Sequence, residues 1–243
     1  GGMLPADLDG LDPGGPEPFV QYDDNAWGYS GDQLQVWEMT VNWIAGTATF
    51  ATPAALGTAA FDSNLCGYSS NCIPQRGTKR KVDAISDRLM YRLQYRNFDT
   101  YQTMVVNHTV DVNGTDRAGI RWYELRNPGS GWGIRQQGTY APDSNHRWMG
   151  SAAMDKDGNI ALGFSVSGTN LYPAIRYTGR SPGDPLGTMT LEETSTIEGG
   201  GSQTHSSGRW GDYSSMSVDP VDDCTFWYTT EYYTATSSAN WKT

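Results

Sequence analysis

Apolar and polar positions alternate with period two through most of the chain. The clearest runs are Leu89/Tyr91/Leu93/Tyr95, Ile160/Leu162/Phe164/Val166 and Phe226/Tyr228/Tyr232. That period is the signature of strands with one buried face, and no stretch carries a helical period. Gly, Asn, Asp and Pro punctuate the joins between runs, as tight turns require. The pattern predicts an all-β protein.

The strands recur in a repeat. Arg147-Trp148 is followed by Met154-Asp155, a turn at Lys156-Asp157-Gly158, and the run Ile160–Phe164. Arg209-Trp210 is followed by Val218-Asp219, a turn over 220–223, and the run Cys224–Tyr228. A fainter copy starts at Asp87-Arg88-Leu89-Met90-Tyr91. Each copy has a later strand of similar character: Gly119–Tyr123, Ala174–Tyr177, Asn240–Lys242, with a relative at Leu34–Glu38. A unit then reads as four antiparallel strands, the content of a propeller blade.

Residues 87–140 and 147–198 are predicted as complete blades, 34–56 as the outer half of an earlier one, and 209–243 as three strands of a later one. The reading is a β-propeller, or a propeller fragment of roughly three to four four-stranded blades, where closed rings use at least about four. Residues 1–20 read as an acidic Gly/Pro-rich linker before a propeller-type domain over 21–243, part of a longer ring or one that closes with another copy. A two-sheet sandwich is the alternative, since short strands and Gly-rich turns suit it too.

Composition narrows the function. Nine Trp and fourteen Tyr give aromatic surfaces, and a net charge of −10 argues against nucleic-acid or anionic-membrane binding. No run approaches the ~18 apolar residues of a membrane span. There are three Cys. Cys66 and Cys72 lie in a Gly/Ser/Asn loop at a spacing that suits a small disulfide ring, which implies an oxidising location; Cys224 is left over, as a core thiol or the partner of a cysteine elsewhere.

The strings Arg147–Ser151, Pro173–Arg180 and, most specifically, Arg209–Pro220 resemble a group of large secreted bacterial propeller-type repeat proteins, loosely described as sialidase-like. The similarity runs from about Leu4 to the end. It implies a secreted propeller and no particular reaction.

Two groups of residues are candidates for a site. Arg88, Arg147 and Arg209 hold equivalent repeat positions. On converging inner strands they would gather at one channel mouth, where guanidinium forks bind carboxylates, as in a sialidase-like site for an acidic sugar. The opposing expectation is that each pairs locally with an Asp. Trp148, Trp210, Asp212 and Tyr213 form the second group: aromatic rings stack on sugar faces, and Asp212 with Tyr213 would supply acid–base chemistry. A retaining glycosidase needs a second carboxyl group about 5–5.5 Å away, and Glu124, Asp143, Glu192 and Glu231 are candidates. Structurally, the tryptophans would instead wedge between blades and Asp212 cap a turn.

His108, His146 and His205 have no zinc-motif spacing. Asp7, Asp9 and Asp12 alternate as Ca²⁺ ligands can, but lack the distal Glu of a calcium loop and read first as solvated linker; Ca²⁺ is left open and no metal residues are assigned. Three functions compete: a secreted module that binds extracellular carbohydrate or a cell-surface component, a sialidase-like glycoside hydrolase acting on acidic glycans, and a structural module of a large surface protein.

Overall fold

A computed structural model describes residues 2–212 and 214–243. Among the described residues the regular elements are seventeen strands and two short 3₁₀ turns. The first five strands are β1 (Leu4–Asp9), β2 (Glu17–Asp23), β3 (Gln33–Asn42), β4 (Thr47–Phe50) and β5 (Ala54–Gly57). Next come β6 (Met90–Asn97), β7 (Gln102–Asp111), β8 (Ala118–Asn127) and β9 (Gly133–Tyr140). Then follow β10 (His146–Met154), β11 (Ile160–Gly168), β12 (Leu171–Arg180) and β13 (Thr194–Ile197). The last are β14 (Ser215–Val218), β15 (Phe226–Thr229), β16 (Tyr232–Tyr233) and β17 (Trp241–Lys242).

The repeat units are antiparallel meanders. Strands β6–β9 run side by side in chain order, as do β10–β13, matching the two four-stranded units read from the alternation. Their turns are built by aspartates. Asp155 accepts hydrogen bonds from the Asp157 and Asn159 amides, both at 2.9 Å. Asp222 accepts from the Cys224 and Thr225 amides in the equivalent turn, also at 2.9 Å. A short carboxylate that caps its own turn is what the Asp-rich punctuation encodes.

Strands β7 and β8 are buried on both faces, because each face meets another layer. Met104, Val106, Tyr123 and Leu125 pack with Val20, Tyr22, Leu34 and Val36 from the first unit. Val105, Ile120 and Trp122 pack with Leu162, Phe164 and Val166 from the third. The three units therefore stack face to face, with β10 packed against both β6 and β14. Among the described residues the sheets are one of nine strands, one of four and two of two, and they do not make up a closed propeller.

The N-terminal stretch departs from the expected linker. Residues 4–9 form β1, which pairs antiparallel with β2 at Leu4 and Pro5 and parallel with β6 from Ala6 to Asp9. Its polar face is held by the polar face of β6. Asp7 and Asp9 lie 2.8 and 3.1 Å from the buried Arg92 guanidinium, and Asp9 accepts from Gln94 at 2.7 Å. Both carboxylates thus pair with one arginine, Asp7 partly exposed and Asp9 more buried. Alternating aspartates hid the strand, although Leu4 and Ala6 on its other face pack against the core. The expected half unit at 34–56 is correspondingly a whole one, with β1 and β2 inside β3.

Candidate functional site

Arg88, Arg209 and Asp212 line one small cavity of about 190 Å³ with Tyr68, Asp83 and Asp87. They arrive on the irregular segments that precede β6 and β14. The segment before β14 is pinned at Gly208, whose backbone has φ +68°, and a Cβ there would lie 2.3 Å from the Ser70 carbonyl oxygen. Its own carbonyl accepts from the Asp83 amide at 2.8 Å. Only glycine allows that approach.

Each arginine of the expected cluster has a carboxylate of its own. Arg88 donates two bonds to its neighbour Asp87, at 3.0 and 2.9 Å. Burial pushes the Asp87 carboxyl up, but the Arg88 bond and charge outweigh it and hold it below the ordinary value. Arg209 is bonded to Asp212.

Arg147 is set apart: its side chain is 1% exposed and forked between Asp143, at 2.8 and 3.1 Å, and Glu193, at 2.7 and 3.0 Å. That pairing holds the Asp143 carboxyl down to about 2, chiefly through the Arg147 hydrogen bond. Arg147 therefore leaves the shared site. Its repeat position falls inside β10, where a side chain meets the neighbouring layer, whereas Arg88 and Arg209 lie before their strands.

Trp148 and Trp210 are likewise corrected from ligand platforms to core. Both are buried in one apolar cluster with Leu65, Ile73, Val82 and Tyr233. Their ring centroids are 6.0 Å apart, and Trp210 stacks on Tyr233 at 5.5 Å. Trp210 donates to Ser165 Oγ at 3.1 Å. No sugar face can reach Trp148; Trp210 backs a second cavity without opening to it. Tyr213 lies outside the described residues.

That second cavity, of about 540 Å³, meets the first at Arg209 and Asp212. Its wall includes Gln203, Thr230, Glu231 and Trp241. Two acceptors here are buried with no hydrogen-bond partner among the described residues: Gln203 Oε1 and Asp212 Oδ1. The Thr230 hydroxyl, near the Tyr228 phenol, makes no hydrogen bond of ordinary geometry either. A buried acceptor without a donor costs roughly 1–3 kcal/mol. Gly211 (φ +35°) lets the backbone pass close to Glu231 and Thr230, each 3.3 Å from where a Cβ would sit. Burial raises the Glu231 carboxyl above its ordinary value, against a lowering by the Gly211 amide. Trp241, paired with Tyr233 across β16–β17, is 55% exposed at the rim.

Of the four acids considered as partners of Asp212, only Glu231 shares its cavity. Glu124 is bound by Arg126 and Gln136, both at 2.5 Å, and Asp143 by Arg147. Glu192 is exposed elsewhere. Gln203 and Thr230 had no sequence signal, being ordinary polar residues outside any motif. Trp241 was read only as part of a strand. The histidines do not converge: His108 is stacked between Tyr22 and Tyr123 in the core, His146 accepts from the Ala118 amide at 3.3 Å, and His205 bonds Ser207 at 2.8 Å. Among the described residues no group of three or more His, Cys, Asp or Glu is placed to hold a metal ion.

Cys66 and Cys72 are joined by a disulfide with Cα atoms 5.5 Å apart, and Cys224 is free and exposed. No helix is long and apolar enough to cross a membrane among the described residues.

No family model matches the sequence, and no curated protein matches it. Among solved structures the chain is similar to a Penicillium chrysogenum alpha-L-arabinanase complexed with arabinobiose. The identity is 10%, the TM-score 0.43, and the match covers 89% of this chain and 54% of that one. The chain thus spans about half the length of that enzyme.

Proposed function

We propose that the chain is a β-propeller-type module of a secreted protein and that it binds extracellular carbohydrate in the cavity beside Asp212. The observation that carries the reading is the pair of buried, unpartnered acceptors, Gln203 Oε1 and Asp212 Oδ1, in a cavity rimmed by the exposed ring of Trp241. Sugar hydroxyls donate to such acceptors, and a sugar's C–H face stacks on an indole. A cavity of about 540 Å³ lies within the size range of small-ligand sites. The Cys66–Cys72 bridge supports an oxidising compartment. The test is a glycan array followed by calorimetry of any hit. Wild-type protein binds at least one saccharide, and Trp241→Ala or Asp212→Asn abolishes that binding; a protein that binds none leaves the structural-module reading.

One observation favours a second reading, glycoside hydrolysis. Glu231, whose carboxyl burial holds toward its protonated form, shares a cavity with Asp212. A neutral carboxylic acid and a carboxylate are the two groups that glycosidic cleavage requires. In this reading Glu231 protonates the leaving oxygen and Asp212 acts on the opposite side. Turnover of a bound glycan that vanishes in Glu231→Gln while binding persists supports it. Full turnover in that variant excludes it.

A further inference from the structure

The arginines expected to recognise acidic groups are each occupied by carboxylates, so the chain's uncompensated positive charge lies elsewhere. Part of it sits in Lys79, Arg80 and Lys81, consecutive and exposed on the arm of a hairpin that returns to Val82, whereas Arg76, Arg117 and Arg135 carry further charge singly, unpaired among the described residues. None of the three has a carboxylate at ion-pair distance among the described residues. That stands out in a chain of net charge −10.

The backbone beneath them is fixed. Ile73 and Val82 exchange amide–carbonyl bonds at 2.8 and 3.0 Å. The Arg80 carbonyl accepts from Gln75 Nε2 at 3.1 Å, and its amide donates to Thr78 Oγ1 at 3.1 Å. Gln75 is itself tied to Gln203, accepting from its amide at 2.8 Å. The hairpin and the wall of the Asp212 cavity are therefore one unit. Three exposed like charges side by side repel one another, modestly in water, and a bound anion relieves that repulsion.

The three cations line a groove of about 510 Å³ together with His205 and Ser206. His205 also lines the Asp212 cavity, so the two are adjacent. We propose that Lys79, Arg80 and Lys81 form a subsite for the carboxylate or sulfate groups of an acidic saccharide whose neutral portion sits in the Asp212 cavity. The proposal rests on the saccharide reading of that cavity and adds the charge class of the ligand. It differs from an arginine-cluster site in that the anion is met by solvated, rotatable cations, which makes binding strongly salt-dependent.

The experiment compares wild type and the triple variant Lys79→Ala/Arg80→Ala/Lys81→Ala on an array of neutral, uronate-bearing and sulfated glycans. Calorimetry over a salt series follows on the best hit and its uncharged analogue, with near-UV circular dichroism as the folding control. Expected results are a preference for acidic over neutral glycans in wild type and about tenfold weaker binding of the acidic ligand in the variant. The log–log salt slope becomes shallower by about two, and affinity for the uncharged analogue is unchanged. Source is resolved by the same array, since uronate and sulfate arms are separate. Equal binding of neutral and acidic glycans, or an unchanged triple variant, overturns the subsite alone. Equal binding of duplex DNA overturns it too, showing a generic basic surface. Binding of no glycan of any class removes the carbohydrate reading itself.

Discussion

Arg96 on β6 and Asp223 in the β14–β15 turn are joined by two hydrogen bonds, 2.8 and 2.5 Å long. The same guanidinium donates to the Met154 carbonyl at the end of β10, at 3.1 Å. One buried side chain thus fastens three successive units at one end, and the turns of the last two are further linked by the Lys156 amide donating to the Asp223 carbonyl at 3.0 Å. Arg96→Ala is expected to cost about 2–4 kcal/mol, because it leaves the partly buried Asp223 carboxylate without its fork and removes one of the two side-chain donors, with Gln94, to the Met154 carbonyl. Arg96→Lys should recover little of this, since an ammonium cannot form the paired fork. Urea unfolding of both variants measures it.

Stability should fall with acid in two stages. His108 is fully buried and its basicity is depressed to about 3, first by burial and then by the nearby Arg121 charge. Unfolded, it protonates near 6.5, so between about 6.5 and 3 the unfolded chain binds the extra proton and stability declines as pH drops. The carboxylates come next. Asp143 is held at about 2 by Arg147, and Asp223 is lowered by Arg96, so their stabilisation is present above about 4 and is lost as pH falls through their folded values. In His108→Phe the first stage should shrink, leaving the part that His146 contributes because burial also lowers its basicity, and the second should remain. Unfolding free energies measured from pH 7 to pH 3 decide this; an unchanged first stage places its origin elsewhere.

Non-reducing alkylation followed by intact mass should label Cys224 alone, because Cys66 and Cys72 are bonded and Cys224 is exposed. Reduction should cost about 2 kcal/mol, the loop-entropy value for a ring of this size. The loop packs close to Gly208 through the Ser70 carbonyl, so reduction should also weaken any ligand held near Arg209. Three labelled thiols before reduction would contradict the bridge.

Strand β15 pairs only with β14 among the described residues, and Trp227 on it is 59% exposed. An unpaired edge bearing a large apolar side chain favours association. Concentration-dependent self-association is expected in sedimentation velocity, reduced by Trp227→Lys. A strictly monomeric protein at all concentrations would contradict this.

The sequence disclosed what alternation and turn chemistry encode. The β10–β11 and β14–β15 hairpins were legible because apolar positions alternate and Asp155 and Asp222 cap their turns. Strand β1 was not, because Asp7 and Asp9 break its apolar run and their partner, Arg92, lies more than eighty positions away. The arginines shared a repeat position in sequence, yet that position falls inside a strand for Arg147 and before one for Arg88 and Arg209. Pattern also cannot show that a tryptophan beside an arginine points inward, as Trp148 and Trp210 do. Asp212 and Arg209 were legible as candidates, whereas the acceptors opposite them depend on the fold of residues 203–241.

Gly211 offers the sharpest test of that cavity. Its φ of +35° is one that residues with a Cβ adopt at a cost of roughly 1 kcal/mol, and its missing side chain gives the space in which Glu231 and Thr230 approach at 3.3 Å. A methyl group there requires Glu231 and Thr230 to shift by a few tenths of an ångström, moving the carboxyl and hydroxyl that line the wall. Gly211→Ala should therefore lower stability by only about 1–2 kcal/mol and leave the fold intact. Saccharide binding should weaken by much more than that loss of stability would explain, since hydrogen-bond geometry at the wall changes while the protein stays folded. Glu231→Gln keeps the shape and should bind nearly as wild type, separating displacement of the side chain from its charge. Calorimetric titration at a temperature well below the unfolding transition provides the comparison. If Gly211→Ala binds saccharide with wild-type affinity, the ligand does not occupy the space between Asp212 and Glu231.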